Sequence, residues 1–190
     1  MKTQFLDLSA HANAHAATFD ADRGVGFVNA WRNSFPAEEV PFGNTLLLKG
    51  IPFVLPRKAA GAPDHVEALG QEIDVRPYFT ARAVGILGFG ELGDQTLDIT
   101  LTSRFGDIRR VKAVLPNWLV PRDAGADGRS WRASHLHYGA SYELDHLQPA
   151  LFAVIAQLST AIQPVAIRLG LNPLAHVMAV SLLSMDAAHV

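Results

Sequence analysis

The sequence predicts an all-β protein, a two-sheet antiparallel β-sandwich that forms one domain over residues 1–190. Eleven Pro and fifteen Gly divide the chain into short segments, most of them too short for helices. These segments are rich in Val, Ile, Leu, Phe and Thr, a composition that favours strands. No long amphipathic helix is evident. We therefore expect a jelly roll of about nine or ten short strands.

The clearest strand pattern lies in the middle of the chain. Apolar and polar residues alternate strictly over residues 97–102, and this period of two is typical of a strand with one buried face. Phe105-Gly106-Asp107 then indicates a turn, and residues 108–115 return as the second strand of a hairpin.

A second predicted hairpin joins residues 45–48 to residues 51–55. Pro52 cannot donate a hydrogen bond to a neighbouring strand, so the return strand should lie at an edge. A single helical turn is predicted at residues 36–39, with Ser34 as its N-cap. Further strands are predicted at residues 5–8, 65–75, 83–89, 135–138, 151–158, 165–169 and 175–183.

Composition excludes several classes of protein and of site. The 49% of hydrophobic residues can build a core, and 16 basic against 18 acidic residues give no basic excess for nucleic acid. The absence of cysteine excludes disulfides, thiolate metal sites and cysteine nucleophiles. No secretory signal or membrane span is recognised, so we expect a cytoplasmic protein without membrane partners.

Five motifs carry a resemblance to a known family. They are NAWRNSFPAEE at residues 29–39, KGIPF at 49–53, DHVEALGQEI at 64–73, LPNW at 115–118 and RLGLNPLAHVMAVSL at 168–182. In this order they are similar to the accessory β-sandwich domains attached to actinobacterial glycoside hydrolases. The resemblance covers roughly residues 5–183. It implies a jelly-roll module related to carbohydrate-binding domains, and it implies no active site.

The densest cluster of polar and aromatic residues spans residues 131–146. A strand through its centre would place His135 and His137 on one face, where two imidazoles can act as acid and base or share a metal ion. Three residues beyond the next turn could complete a metal shell: Glu143, Asp145 and His146. We rank two functionless surface histidines first, a metal-free role second and a metal third. We therefore predict no bound metal and no cofactor.

Two functions from different classes follow. The first is binding of a carbohydrate or glycosylated small molecule, because sugar rings stack on flat aromatic side chains while polar groups bind the hydroxyls. The expected ligand-binding residues are Trp131, Tyr138, Tyr142, Asn33 and Trp31. The alternative is a small biosynthetic or tailoring enzyme. Its expected catalytic residues are His135, His137, Glu38 and Glu143.

Other features have simpler interpretations. Trp118 and His176 are expected in the core, with His176 bonded to the backbone. Asp20, Asp22 and Asn29 could bind a structural Ca²⁺, although solvated loop carboxylates are the commoner explanation. A third role, as a subunit that caps a partner enzyme, and a homodimer are both left open.

Overall fold

The computed structural model describes residues 1–121 and 128–184. In these ranges the only helical segments are two 3₁₀ turns, Ser9–His11 and Asp20–Asp22, and no helix is long and apolar enough to cross a membrane. The strands, in chain order, are β1 (Lys2–Leu6), β2 (Ala17–Thr18), β3 (Asn33–Pro36), β4 (Thr45–Leu48), β5 (Ile51–Val54), β6 (Val66–Leu69), β7 (Glu72–Asp74), β8 (Ala81–Gly90), β9 (Gln95–Ser103), β10 (Ile108–Leu115), β11 (Leu119–Pro121), β12 (Ser130–Arg132), β13 (Leu136–Tyr138), β14 (Tyr142–Leu144), β15 (Leu147–Ile162), β16 (Pro164–Leu169) and β17 (Leu171–Ser184).

A seven-stranded sheet forms the centre of the molecule. Its path runs β1-β17-β8-β15-β11, with β6 also paired to β17 and β12 to β15. Every residue from Ala83 to Gly90 in β8 is buried. This strand reads as a nearly continuous apolar run because both of its faces are covered.

One face of this sheet packs against a four-stranded sheet with the order β10-β9-β16-β7. The predicted hairpin of β9 and β10 is present as an antiparallel pair. Leu97, Ile99 and Leu101 are fully buried in the first core, where they meet Val84 and Ile86 from β8. Two antiparallel sheets thus enclose an apolar core, and the predicted β-sandwich is confirmed.

The opposite face of the central sheet is covered by a third layer, which the sequence analysis did not predict. This layer contains the hairpin of β4 and β5 and a small sheet with the order β14-β13-β3-β2. A second core fills the space beneath it, and its largest buried side chains are Phe35, Phe53, Phe89 and Trp118. The core position expected for Trp118 is therefore confirmed.

A β-bulge in β17 lets one strand serve both cores. Its register with β8 shifts between Val177 and Ala179. Val177 and Val180 face the first core, whereas Met178 and Ala179 both belong to the second. The inserted residue changes the phase of the alternation, so the predicted C-terminal strand does not alternate regularly.

Two local predictions need correction, and a third is confirmed. Ser34 and Pro36 lie in β3, and residues 37–39 form a turn, so the predicted helical turn with a Ser34 N-cap is wrong. The Ser34 hydroxyl instead bonds to Thr18. The predicted strand at residues 65–75 is interrupted at Gly70, whose φ of +88° favours glycine. Its two halves, β6 and β7, join different sheets. Pro52 does lie in an edge strand, since β5 pairs only with β4.

The closest backbone approach to a glycine in β8 yields a stability prediction. A Cβ atom on Gly88 would lie 2.2 Å from the carbonyl oxygen of His176. We expect Gly88→Ala to lower the free energy of unfolding by at least about 3 kcal/mol, because only backbone movement could relieve this overlap. Urea denaturation measures the change. The matched control is Gly24→Ala, since a Cβ there meets nothing within 4 Å. Equal stability of both variants would contradict the expectation.

Candidate functional site

Two histidines lie together in the third layer. His137 is on β13 and His135 immediately precedes that strand. Their ring centroids are 5.2 Å apart, on the shared face that the period of two predicted. His137 is fully buried, and the side chain of His135 is 20% exposed.

The strand pairing of the small sheet fixes the ring of His137. Because β3 lies between β2 and β13, the side chains of Thr18, Ser34 and His137 meet. The His137 Nδ1 lies 2.9 Å from the Thr18 hydroxyl, which in turn lies 2.6 Å from the Ser34 hydroxyl. With Nδ1–H donating into these hydroxyls, Nε2 keeps a free lone pair.

His135 is held in the same way by different partners. Its Nδ1 lies 2.8 Å from the Ser134 hydroxyl and 3.2 Å from Glu39 Oε1. Glu39 also accepts the backbone N–H of Ser134 at 2.6 Å. A carboxylate on the turn after β3 therefore orients the His135 ring through Nδ1.

The two remaining ring nitrogens, His135 Nε2 and His137 Nε2, are buried and have no hydrogen-bond partner among the described residues. Asp20 Oδ1 lies 3.1 Å from His137 Nε2, but the contact lacks hydrogen-bond geometry. His135, His137, Asp20 and Glu143 each place one N or O atom within 4.8 Å of the others. The side chains of Asp20 and Glu143 are 62% and 49% exposed, so the cluster opens to solvent.

Arg23 sets the charges of this cluster. Its guanidinium donates to Asp20 at 2.8 Å and also to Glu143. These hydrogen bonds lower the pKa of both carboxyl groups. Burial lowers the pKa of His137, and the electrostatic effects of the neighbouring Arg23 and His135 lower it further. Near neutral pH the cluster thus presents ionised carboxylates beside a neutral His137 ring.

The predicted catalytic residues are placed around this cluster. Glu143 belongs to it directly, and Glu38 accepts the backbone N–H of Asp20 at 2.8 Å, so Glu38 positions that carboxylate. Asp145 and His146, the other residues considered for the shell, are not among the converging groups.

The predicted ligand-binding residues divide into two groups. Trp31, Tyr138 and Tyr142 are exposed, at 57%, 38% and 69%, and Tyr142 is the cross-strand partner of Tyr138. Asn33 is buried beside Tyr138, and Trp131 is half-buried and stacked on a core phenylalanine. Only the first group offers open aromatic faces.

Four residues of the cluster have roles that the sequence analysis missed: Thr18, Asp20, Arg23 and Ser34. Thr18 is 119 positions from His137, and no local pattern links them. Asp20 was considered only for Ca²⁺ with Asp22 and Asn29. Asn29 instead accepts backbone N–H groups within its own turn, at distances of 3.1 and 3.2 Å.

A family model described as the AziU2-like β-sandwich domain matches residues 2–186. The chain belongs to this family. No curated protein matches the chain. The family supports the β-sandwich part of the resemblance drawn from the sequence motifs. Its description contains no link to glycoside hydrolases or to carbohydrate binding.

A second histidine group lies beside the central sheet and consists of His176, on β17, and His65. His176 is fully buried, as expected, but its partner is not the backbone: its Nδ1 lies 2.8 Å from His65 Nε2. The other nitrogen of His65 lies 2.9 Å from Asp64, which also pairs with Lys58 at 2.8 Å. Burial, followed by the charge of His65, lowers the pKa of His176 to about 3.

Two surface cavities lie apart from both histidine groups. One, of about 480 Å³, is lined by residues that include Arg104, Phe105 and Arg109. Another, of about 650 Å³, is lined by residues that include Glu72 and Arg76, and Tyr78 contributes to both. Neither cavity shares a residue with the histidine groups, so we place the candidate chemistry at the His135–His137 cluster.

The buried His176 predicts a pH dependence of stability. A histidine whose pKa falls on folding binds fewer protons in the native state, so stability declines as the pH falls from about 6.5 toward about 3. In a buffer that contains a metal chelator, we expect the free energy of unfolding to fall by up to about 4 kcal/mol over this pH range. His176→Asn keeps a donor for His65 and should flatten the profile, measured by urea denaturation at each pH.

The exposed His146 supplies the matched control. His146→Asn should retain the wild-type slope. If His176→Asn does not fold, NMR titration of the wild-type His176 ring replaces it. An imidazole that titrates near pH 6.5 would contradict the lowered pKa.

Proposed function

We propose that the protein binds a divalent transition-metal ion of the zinc class at His135, His137, Asp20 and Glu143, and acts as a small biosynthetic or tailoring enzyme on a small molecule there. The observation that carries the proposal is the pair of buried, unpartnered Nε2 atoms in two histidines that cluster with two carboxylates. A buried lone pair without a donor is costly unless a ligand satisfies it.

The surroundings of the two rings support a metal over a metal-free acid–base pair. Histidines that bind metals typically hold their second nitrogen in a hydrogen bond, often to a carboxylate. His135 has this arrangement with Glu39, and His137 has it with Thr18. Two ligands bound to zinc at roughly 2.0–2.2 Å in a tetrahedron lie about 3.4 Å apart. The 3.1 Å between His137 Nε2 and Asp20 Oδ1 is close to this spacing.

The exposed side of the cluster supports a chemical role over a purely structural one. Catalytic zinc sites keep a position open for water or substrate, and the ion lowers the pKa of a bound water to about 7. Asp20 and Glu143 lie at the solvent-facing side, where such a position would form. The Arg23 guanidinium already donates hydrogen bonds to both carboxylates. A metal ion would compete with these hydrogen bonds, so its affinity should depend on how easily they are released.

Calorimetric titration of the metal-stripped protein with Zn²⁺ tests the proposal, and Co²⁺ absorption reports the coordination. We expect His135→Ala to weaken binding at this site at least about 100-fold, because it removes a ligand. Glu39→Gln should weaken it about 10–100-fold, because it removes only the group that orients His135.

Two variants control for unspecific effects. His146→Ala removes an exposed histidine beyond β14, and Glu72→Gln removes an exposed carboxylate on β7. Both should bind Zn²⁺ as the wild type does. Unchanged Zn²⁺ affinity in both His135→Ala and Glu39→Gln would refute the metal site.

A second candidate function is the binding of a carbohydrate or glycosylated small molecule. The specific observation in its favour is the cross-strand pair Tyr138–Tyr142, which directly adjoins the pair His137–Glu143. Open aromatic faces beside polar groups suit the C–H faces and hydroxyls of sugars.

Calorimetry with a panel of sugars and glycosides tests this binding. Tyr142→Ala should weaken it about 5–150-fold, the effect of losing 1–3 kcal/mol of contact. The control Tyr78→Ala removes an exposed tyrosine that lies outside the Tyr138–Tyr142 pair, and it should leave the affinity unchanged. Absence of heat with every member of the panel would argue against this function.

A further inference from the structure

A separate candidate site lies where the turn between β9 and β10 meets two other segments of the chain. The cavity of about 480 Å³ is lined there by residues of this turn and its flanks, by Tyr78 from the segment between β7 and β8, and by residues 161–163 at the junction of β15 and β16. Small-molecule sites typically have volumes of about 300–1,000 Å³. The turn belongs to the four-stranded sheet, and the His135–His137 cluster belongs to the third layer on the opposite face of the central sheet.

Hydrogen bonds of Ser103 hold the turn in one shape. The Ser103 hydroxyl accepts the backbone N–H groups of Phe105 and Asp107, at 3.2 and 3.1 Å, and donates to the Asp107 carboxylate at 3.1 Å. Asp107, which is the only acid among the described residues that line the cavity, is therefore engaged in the turn itself. The same turn presents Phe105 to solvent, where this residue is 77% exposed.

Two oriented arginines line the same cavity. The guanidinium carbon of Arg104 lies 4.5 Å from the centre of the Phe105 ring and 5.8 Å from the centre of the Tyr78 ring, and both distances are within cation–π range. Arg109 donates from Nε to the Thr160 hydroxyl at 2.7 Å and from Nη1 to a backbone carbonyl oxygen at 2.9 Å. In the part of the chain that the structure describes, neither guanidinium forms an ion pair with a carboxylate. Both positive charges are thus held in place and available to an anion.

The neighbouring cavity has the opposite balance of charge. This cavity, of about 650 Å³, shares Tyr78 with the first one, but its described lining contains two acids, Glu72 and Asp74, and one base, Arg76. Arg76 already lies 3.6 Å from Asp74. The first cavity instead contains two bases and one acid. An anionic group is therefore favoured in the first cavity and disfavoured in the second.

We propose that the cavity between Arg104, Arg109, Phe105 and Tyr78 binds a small molecule in which a planar aromatic ring carries a carboxylate or phosphate group. Guanidinium groups form paired hydrogen bonds with both kinds of anion. Phe105 and Tyr78 are 77% and 68% exposed, so they offer flat apolar surface to the ring of the ligand. Aromatic acids and nucleotides share this chemistry. Binding here requires no metal ion and none of the histidines.

NMR titration of the ¹⁵N-labelled full chain, in a buffer that contains a metal chelator, tests this site separately from the proposed function. The probes are phenylacetate and adenosine monophosphate, and their uncharged counterparts are phenylacetamide and adenosine. We expect at least one of the two anions to shift the amide signals of residues 103–109, and its uncharged counterpart to bind at least about 10-fold more weakly. Tighter binding of phenylacetate would identify aromatic acids as the ligand class, and tighter binding of adenosine monophosphate would identify nucleotides.

Two variants remove the proposed contacts at exposed positions. Arg104→Gln should weaken binding of the anion about 10–100-fold, and Phe105→Leu should weaken it at least about 5-fold. The matched controls are Arg110→Gln, which removes the exposed arginine next to Arg109 on the other face of β10, and Phe5→Leu, which removes an exposed phenylalanine of β1. Both controls should bind the anion as the wild type does.

Three results would overturn the anion site. The first is that neither anion shifts the signals of residues 103–109 more than its uncharged counterpart does. The second is that Arg104→Gln and Phe105→Leu both keep the wild-type affinity. The third is that inorganic phosphate and acetate bind as tightly as the two aromatic anions, because the rings would then contribute nothing. Failure of the Zn²⁺ titration would refute the metal site alone and leave these expectations unchanged.

Discussion

The buried carboxylate of Asp64 holds the third layer and the central sheet together. It is fully buried and accepts four donors: the backbone N–H groups of Ala16 and Ala17, the ring of His65, and the ammonium of Lys58. Burial alone would raise the pKa of Asp64, but the hydrogen bonds and charges of His65 and Lys58 lower it. Removing this carboxylate would deprive four donors, one of them the buried Lys58 ammonium, of their shared acceptor, a loss far larger than that of one hydrogen bond.

Both histidine groups depend on this anchor. By fixing the backbone at Ala17, Asp64 places the next residue, Thr18, where its hydroxyl orients His137. By fixing the ring of His65, it also places the His65 Nε2 atom 2.8 Å from His176 Nδ1. The two groups share one arrangement: in His137 and in His176, Nδ1 has a hydrogen-bond partner and Nε2 has none among the described residues. One anion thus prepares an open cluster in the third layer and a closed one beside the central sheet.

The parts of this structure that the sequence could predict are local ones. Alternation identified the hairpin of β9 and β10, and the period of two placed His135 and His137 together, because each pattern spans a few residues. Asp20 could not be found in this way, since its meeting with His137 depends on β3 lying between two distant segments. The third layer escaped prediction for a related reason. A strand with two buried faces, such as β8, gives a uniform apolar run that does not reveal what covers it.

The free-energy cost of burying ionisable groups supports the proposed metal-binding function over the proposed binding of a sugar at the surface. A sandwich with two apolar cores has no energetic need for Asp64, His65 and His176 in its interior, and apolar residues of similar volume would often be neutral or stabilising there. An aromatic platform such as Tyr138 and Tyr142 could bind a sugar on the bare surface of the same fold. The tethered rings of His135 and His137, with unpartnered Nε2 atoms beside two carboxylates, are what the proposed metal ion would use.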